Sequence, residues 1–192
     1  MDLRAVIGMC LSIALVAGCS KPAQGAAAED PVVTPYMSVK RPTGEWKLYA
    51  SSDDAVTFTR GGDGDSYVAS IMLFGMGPAN TPEEYEALIR KGAANDVDPK
   101  DPGRYELLEQ SIKYSNERPY PCVRYKAASM DKGAHGTVGP QVLELAGLYC
   151  RHPMDASVGA AIMYSHRGTT RHADLGAEAQ TFIENAVLPG PK

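Results

Sequence analysis

No run of apolar residues in this chain of 192 residues reaches the roughly 20 needed to cross a bilayer as a helix. The longest uncharged apolar run, Ala5 to Gly18, stops short, which excludes a helical membrane span. Basic charge is also scarce: 19 Lys and Arg stand against 23 Asp and Glu, a formal net charge of -4. A phosphate-backbone binder needs a basic face, so no nucleic-acid partner is expected. No segment repeats at a fixed period. The four histidines, His135, His152, His166 and His172, show no His-x-His or His-Glu-x-x-His spacing, so no metal or other cofactor is expected.

What is present at the amino terminus is informative. Arg4 precedes the apolar run, which has the length of a secretory h-region and ends in Val16-Ala17-Gly18-Cys19. Small residues immediately before a cysteine resemble the lipobox of bacterial lipoprotein signal peptides. The resemblance implies a signal over 1–18, removed on maturation, and lipidation of Cys19. Two or more acyl chains hold a protein stably on a membrane, whereas one binds only marginally. Ser20 follows Cys19, and by the rule known for that family this points to the outer membrane, facing the periplasm. Met9 precedes Cys10 where a small residue is required, so Cys10 is a poor rival. A secretory signal with an incidental cysteine is the alternative.

Residues 19–35, rich in Ala and Pro, read as the lipidated cysteine and a flexible tether. Residues 36–192 are enough for one domain. Of four cysteines, Cys10 leaves with the signal and Cys19 is alkylated, leaving Cys122 and Cys150. Two cysteines in an oxidising compartment pair most often with each other, so a disulfide is expected, with a free catalytic thiol as its rival.

Along the domain, Trp46–Tyr49 and Val56–Thr59 alternate as half-buried strands do, with a turn at 51–54. Tyr67–Met76 is nearly continuous in apolar residues and predicts a strand buried on both faces. Gly61-Gly62-Asp63-Gly64-Asp65 between them predicts a hairpin tip. Thr81-Pro82-Glu83-Glu84 has a capping residue, a first-turn proline and a glutamate at N3, so a helix is expected over 82–94. Further strands are expected at 108–114, 123–127, 142–151 and 158–166. A last helix from Ala173 carries Leu175, Ala179, Phe182, Ile183, Ala186 and Val187 as its apolar stripe and ends at Pro189.

Three strands, a helix, four strands and a helix give an α+β fold: a largely antiparallel sheet of about seven strands with two covering helices. This order, with Gly44-Glu45-Trp46 opening the first strand and Thr81-Pro82-Glu83-Glu84-Tyr85 the first helix, resembles the Mog1/PsbP-like fold over roughly 36–188. The resemblance implies a sandwich-like domain of a kind whose members mostly bind, chaperone or assemble other proteins.

Motif fragments fail on context. Ser129-Met130-Asp131-Lys132 has Ser-x-x-Lys spacing, but Gly133 and Gly136 suit a loop rather than the required helix. Gly61–Ser66 approaches a calcium-binding nonapeptide, yet it occurs once and Ser66 replaces the last aspartate. Asp96, Asp98 and Asp101 resemble part of an EF-hand loop, but Leu107 stands where a bidentate glutamate is needed. Arg124, Tyr125, Tyr149, Arg151, Tyr164 and Arg167 gather around the expected disulfide, and Arg and Tyr are frequent interface anchors. The candidate partner-binding residues are therefore Arg124, Arg151, Arg167, Tyr149 and Tyr164. The competing reading places the tyrosines in the core and the arginines in solvent. Two function classes follow: a lipid-anchored, non-enzymatic envelope module that binds a protein partner, and a small envelope hydrolase assembled only in space, for example from Ser165 and His152.

Overall fold

The computed structural model describes residues 30–61, 64–95, 103–134 and 139–190. The expected signal, Cys19, most of the tether, the Asp96–Asp101 loop and His135 lie outside them. The elements are β1 (Val32–Val33), β2 (Ser38–Val39), β3 (Lys47–Ser51), β4 (Ala55–Gly61), β5 (Ser66–Gly75), α1 (Pro82–Asn95), β6 (Tyr105–Ser115), β7 (Cys122–Asp131), β8 (Gln141–Arg151), β9 (Val158–Gly168), α2 (Leu175–Glu184) and β10 (Ala186–Val187). The fold is α+β, with a seven-stranded antiparallel sheet and two helices.

The sheet order is β3-β4-β5-β9-β8-β7-β6. It consists of two meanders, β3–β5 and β6–β9, zipped together by antiparallel pairing of β5 with β9 from Ser66↔Arg167 to Gly75↔Val158. Both edge strands are interrupted by register shifts, between Leu48 and Ala50 on β3 and between Leu107 and Glu109 on β6. Such bulges, with Glu106, Glu109 and Lys113 along β6, discourage pairing with another chain.

One sheet face is closed. The stripe of α2, Leu175, Ala179, Phe182 and Ile183, packs on β8 and β9 over Phe58, Ile71, Leu148, Ile162 and Tyr164. A second small sheet, order β1-β2-β10, completes the cover by burying Met37, Val39, Ala186 and Leu188 in the same core. Two sequence expectations are corrected here. Val32 and Val33, expected in the tether, pair with Val39 and Ser38. Ala186 and Val187, expected in the last helix, form β10 against β2, because the helix ends at Glu184 and Asn185 caps it.

The opposite face is only partly covered, and the topology explains why. Helix α1 carries the chain from β5, in the middle of the sheet, to β6 at the far edge. It therefore lies on β6 and β7, with Tyr85 and Ile89 packed on Ile112, Val123, Tyr125 and Ala127. Its start follows the expected capping logic: Thr81 Oγ1 accepts from the Glu84 amide at 3.3 Å, and Glu84 Oε2 accepts from the Asn80 amide at 2.7 Å. The same face of β5 and β9 lies beside the helix rather than beneath it. Strand β5 is thus not buried on both faces: Met72 is 47% exposed.

Candidate functional site

The sequence-predicted residues separate. Residues opposite one another in the ladder share a face, and successive residues alternate. Cys122 faces Cys150, with sulfurs 2.10 Å apart, at bonding distance, in the closed core. Arg124 and Tyr164 belong to that closed face. Tyr149, Arg151 and Arg167 belong to the other face, and the eight steps along the strand from Gly159, opposite Arg151, to Arg167 span about 26 Å at 3.3 Å per residue. The five do not form one patch.

Nor are the arginines simply solvated. Arg124 Nε donates to Glu117 Oε1 at 2.9 Å and its Nη2 to Gln180 Oε1 at 2.7 Å, tying the β6–β7 turn to α2. Arg151 donates from Nε to the Tyr85 hydroxyl at 2.7 Å, from Nη2 to the Gly77 carbonyl at 2.8 Å and from Nη1 to the Ala156 carbonyl. It clamps the start of α1 to the sheet. Arg167 lies 3.2 Å from the buried carboxylate of Asp131, which also holds Arg104. Tyr164 is 1% exposed and donates to Glu178. Burial, then the Glu178 contact, push its phenol well above the ordinary range.

Ser165 and His152 stand apart as well. Ser165 Oγ donates to the Val68 carbonyl at 3.4 Å, whereas His152 lies beyond the other end of β9. His152 accepts from the Met154 amide at Nδ1, so Nε2 carries the proton and donates to the Tyr36 carbonyl at 2.9 Å. It anchors the small sheet's first turn. Ser129 lies within strand β7, paired with Leu143, and opens no helix.

A network around the buried His166, which sequence spacing did not reveal, joins the residue before β5 to β8, β9 and α2. His166, 2% exposed, has Nε2 at 3.1 Å from Asp65 Oδ1 and Nδ1 at 3.3 Å from Glu144 Oε2. Glu144 also accepts from the His172 amide at 2.7 Å, and His172 Nε2 lies 3.3 Å from Glu178. Gly168 permits the approach of Asp65, since a methyl group there would stand 2.0 Å from Asp65 Oδ1. Among the described residues no cluster of His, Cys, Asp and Glu has metal-binding geometry.

The feature best shaped for a ligand is a groove of about 580 Å³ on the half-open face. Its floor is Met72 and Phe74 of β5, Met163 of β9 and Tyr149 of β8; its wall is Leu88, Ile89 and Lys91 of α1. Phe74 meets Tyr149 edge-to-face at 6.0 Å, and Tyr125 meets Tyr149 likewise at 5.5 Å, so the floor is held in shape by aromatic packing. Compared with known proteins, the chain matches no family model and no curated sequence.

Proposed function

We propose that this chain is a lipid-anchored, periplasm-facing module of a bacterial envelope, a holder of partners rather than a catalyst: it seats an apolar helical segment of another envelope protein in the groove beside α1. The observation that carries the reading is Met72, 47% exposed on the same open face as Met163, whereas Ile71, Ile162 and Tyr164 on the other face of these two strands are buried. Apolar surface left open in this way marks interaction sites, and methionine floors adapt to helical ligands. Lys91 on the wall complements an acidic residue flanking the partner's apolar stripe. The lipobox-like Val16-Ala17-Gly18-Cys19 supports the anchor, and the Cys122–Cys150 pair suits an oxidising compartment. The order of elements, similar to the Mog1/PsbP-like fold, is in keeping with a binding role.

The test is photo-crosslinking from position 72 in full-length, membrane-bound protein. A discrete protein adduct should form, disappear with Met163→Asp and be competed by a synthetic amphipathic helix with an acidic flank. Adducts insensitive to both would reject the groove as the docking site. Mass analysis of the same preparation should show acyl mass on Cys19, lost in Cys19→Ser.

A further inference from the structure

A second cavity, of about 210 Å³, lies on the closed side of the sheet between α2 and the β2–β3 connection, remote from the groove. Lys40, Arg41 and Arg60 line it, against the single carboxylate of Glu178. That carboxylate is already engaged: Oε2 accepts from Tyr164 and lies 3.4 Å from Arg60 Nη2, and Oε1 faces His172 at 3.3 Å. Burial works the other way, yet the Tyr164 and His172 contacts and the Arg60 charge hold Glu178 below the usual carboxylate range. Arg41 is engaged elsewhere, its Nη1 donating to the Trp46 carbonyl at 3.3 Å, but among the described lining residues Lys40 and Arg60 still outnumber Glu178, in a chain whose net charge is -4.

The independent observation is Trp46. It lines this cavity, is 3% exposed, and its Nε1–H is buried without a hydrogen-bond partner among the described residues. An unmet buried donor costs free energy, so a group that accepts from it is favoured. Gly44, at φ 106°, leaves the space open: a methyl group there would lie 4.0 Å from Trp46 Cδ1, the atom next to Nε1, and 3.9 Å from Arg60 Nη1, the nitrogen turned away from Glu178. Arg60 is itself fixed, 4.0 Å over the Tyr67 ring and 5.1 Å over Trp46.

We infer that this cavity binds a small carboxylate, one oxygen accepting from Trp46 Nε1 and the other from Arg60 Nη1, with Lys40 supplying charge at the mouth. A carboxylate has two oxygens to meet an indole donor and a guanidinium, and charge-assisted pairs with a guanidinium are the strong ones. The carboxylate is supplied either by a free short-chain acid or by a glutamate side chain on a peptide.

Trp46 is the only tryptophan, so its emission reports occupancy without a label. The mature chain is titrated with sodium propionate, with a capped, amidated peptide containing one glutamate, and with sodium phosphate, each against sodium chloride at equal ionic strength. A saturable change with propionate or with the glutamate peptide supports the site, and the arm that saturates at lower concentration names the source. Arg60→Gln should weaken binding about tenfold or more, the value of one charge-assisted hydrogen bond. Lys40→Gln, at an exposed position that should not disturb the fold, should weaken it less. No response beyond chloride overturns the inference, as does binding unchanged in both variants. Phosphate saturating more tightly than either carboxylate overturns the assignment of ligand class.

Discussion

Asp131 is fully buried and accepts two hydrogen bonds from one guanidinium, Arg104 Nε at 2.7 Å and Nη2 at 3.0 Å. The Gly133 amide donates to it at 3.1 Å and Arg167 stands at 3.2 Å. The Arg104 contact foremost, then Gly133 and Arg167, hold its carboxyl below the ordinary range although burial alone would raise it. A carboxylate with a depressed native pKa stabilises the fold above its unfolded value near about 4, and that contribution is lost as pH falls through the native value. Acidification below about pH 4 should therefore lower the melting temperature, and Asp131→Asn should flatten that slope. Asp131→Ala should cost about 3 kcal/mol at neutral pH, since it removes the buried carboxylate that both guanidinium groups face. Denaturant melts across pH check both outcomes.

Arg151 predicts a local effect. Its three donors go to Tyr85, Gly77 and Ala156, groups on α1, on the segment before it and on the β8–β9 turn. Lysine has the charge but not the fork. Arg151→Lys should lose about 1.5–3 kcal/mol, and hydrogen exchange should quicken in α1 more than in α2. Uniform quickening would assign Arg151 to the global core instead.

The disulfide joins directly opposed residues, Cys122 and Cys150, 28 positions apart. Closing a loop of this length restricts the unfolded chain by about 3–4 kcal/mol in the entropy model. Reduction, or Cys122→Ser with Cys150→Ser, should lower stability by about that amount or less while leaving the strand register intact. Equilibrium unfolding with and without reductant measures it, and equal midpoints would remove the bond from the stability account.

The long elements were legible because their local signals agree: alternation in β4 and β7, the Thr81–Glu84 cap, the α2 stripe. The two-residue strands β1, β2 and β10 have no period to read and exist only through one another. Ala186 and Val187 keep helical spacing, so their turn to β2 shows only in three dimensions. The Arg and Tyr cluster failed because sequence proximity to the disulfide says nothing of which sheet face a residue takes, and each guanidinium finds at least one partner on a distant segment: Gln180 for Arg124, Tyr85 for Arg151 and Asp131 for Arg167. Trp46, Arg60 and Glu178 come from three separate segments, and nothing in their spacing links them. The open groove was hidden by the apolar run of β5, which reads as doubly buried until the α1 crossover is seen to miss it.

That difference between the two faces of one strand yields the last prediction. Met72 and Ile71 are neighbours on β5, yet Met72 is 47% exposed and Ile71 is 0% exposed. Met72→Asp should change stability by no more than about 0.5 kcal/mol, as surface substitutions do. Ile71→Asp should unfold the domain, because an unpaired carboxylate in that core has no partner to offset its desolvation. A hydrophobic dye should bind the wild type at the groove and bind Met72→Asp more weakly at equal foldedness. If Met72→Asp instead costs several kcal/mol, another part of the chain covers the groove and the docking proposal fails. If it is neutral and dye binding persists unchanged, the apolar surface that the dye detects lies elsewhere than beside α1.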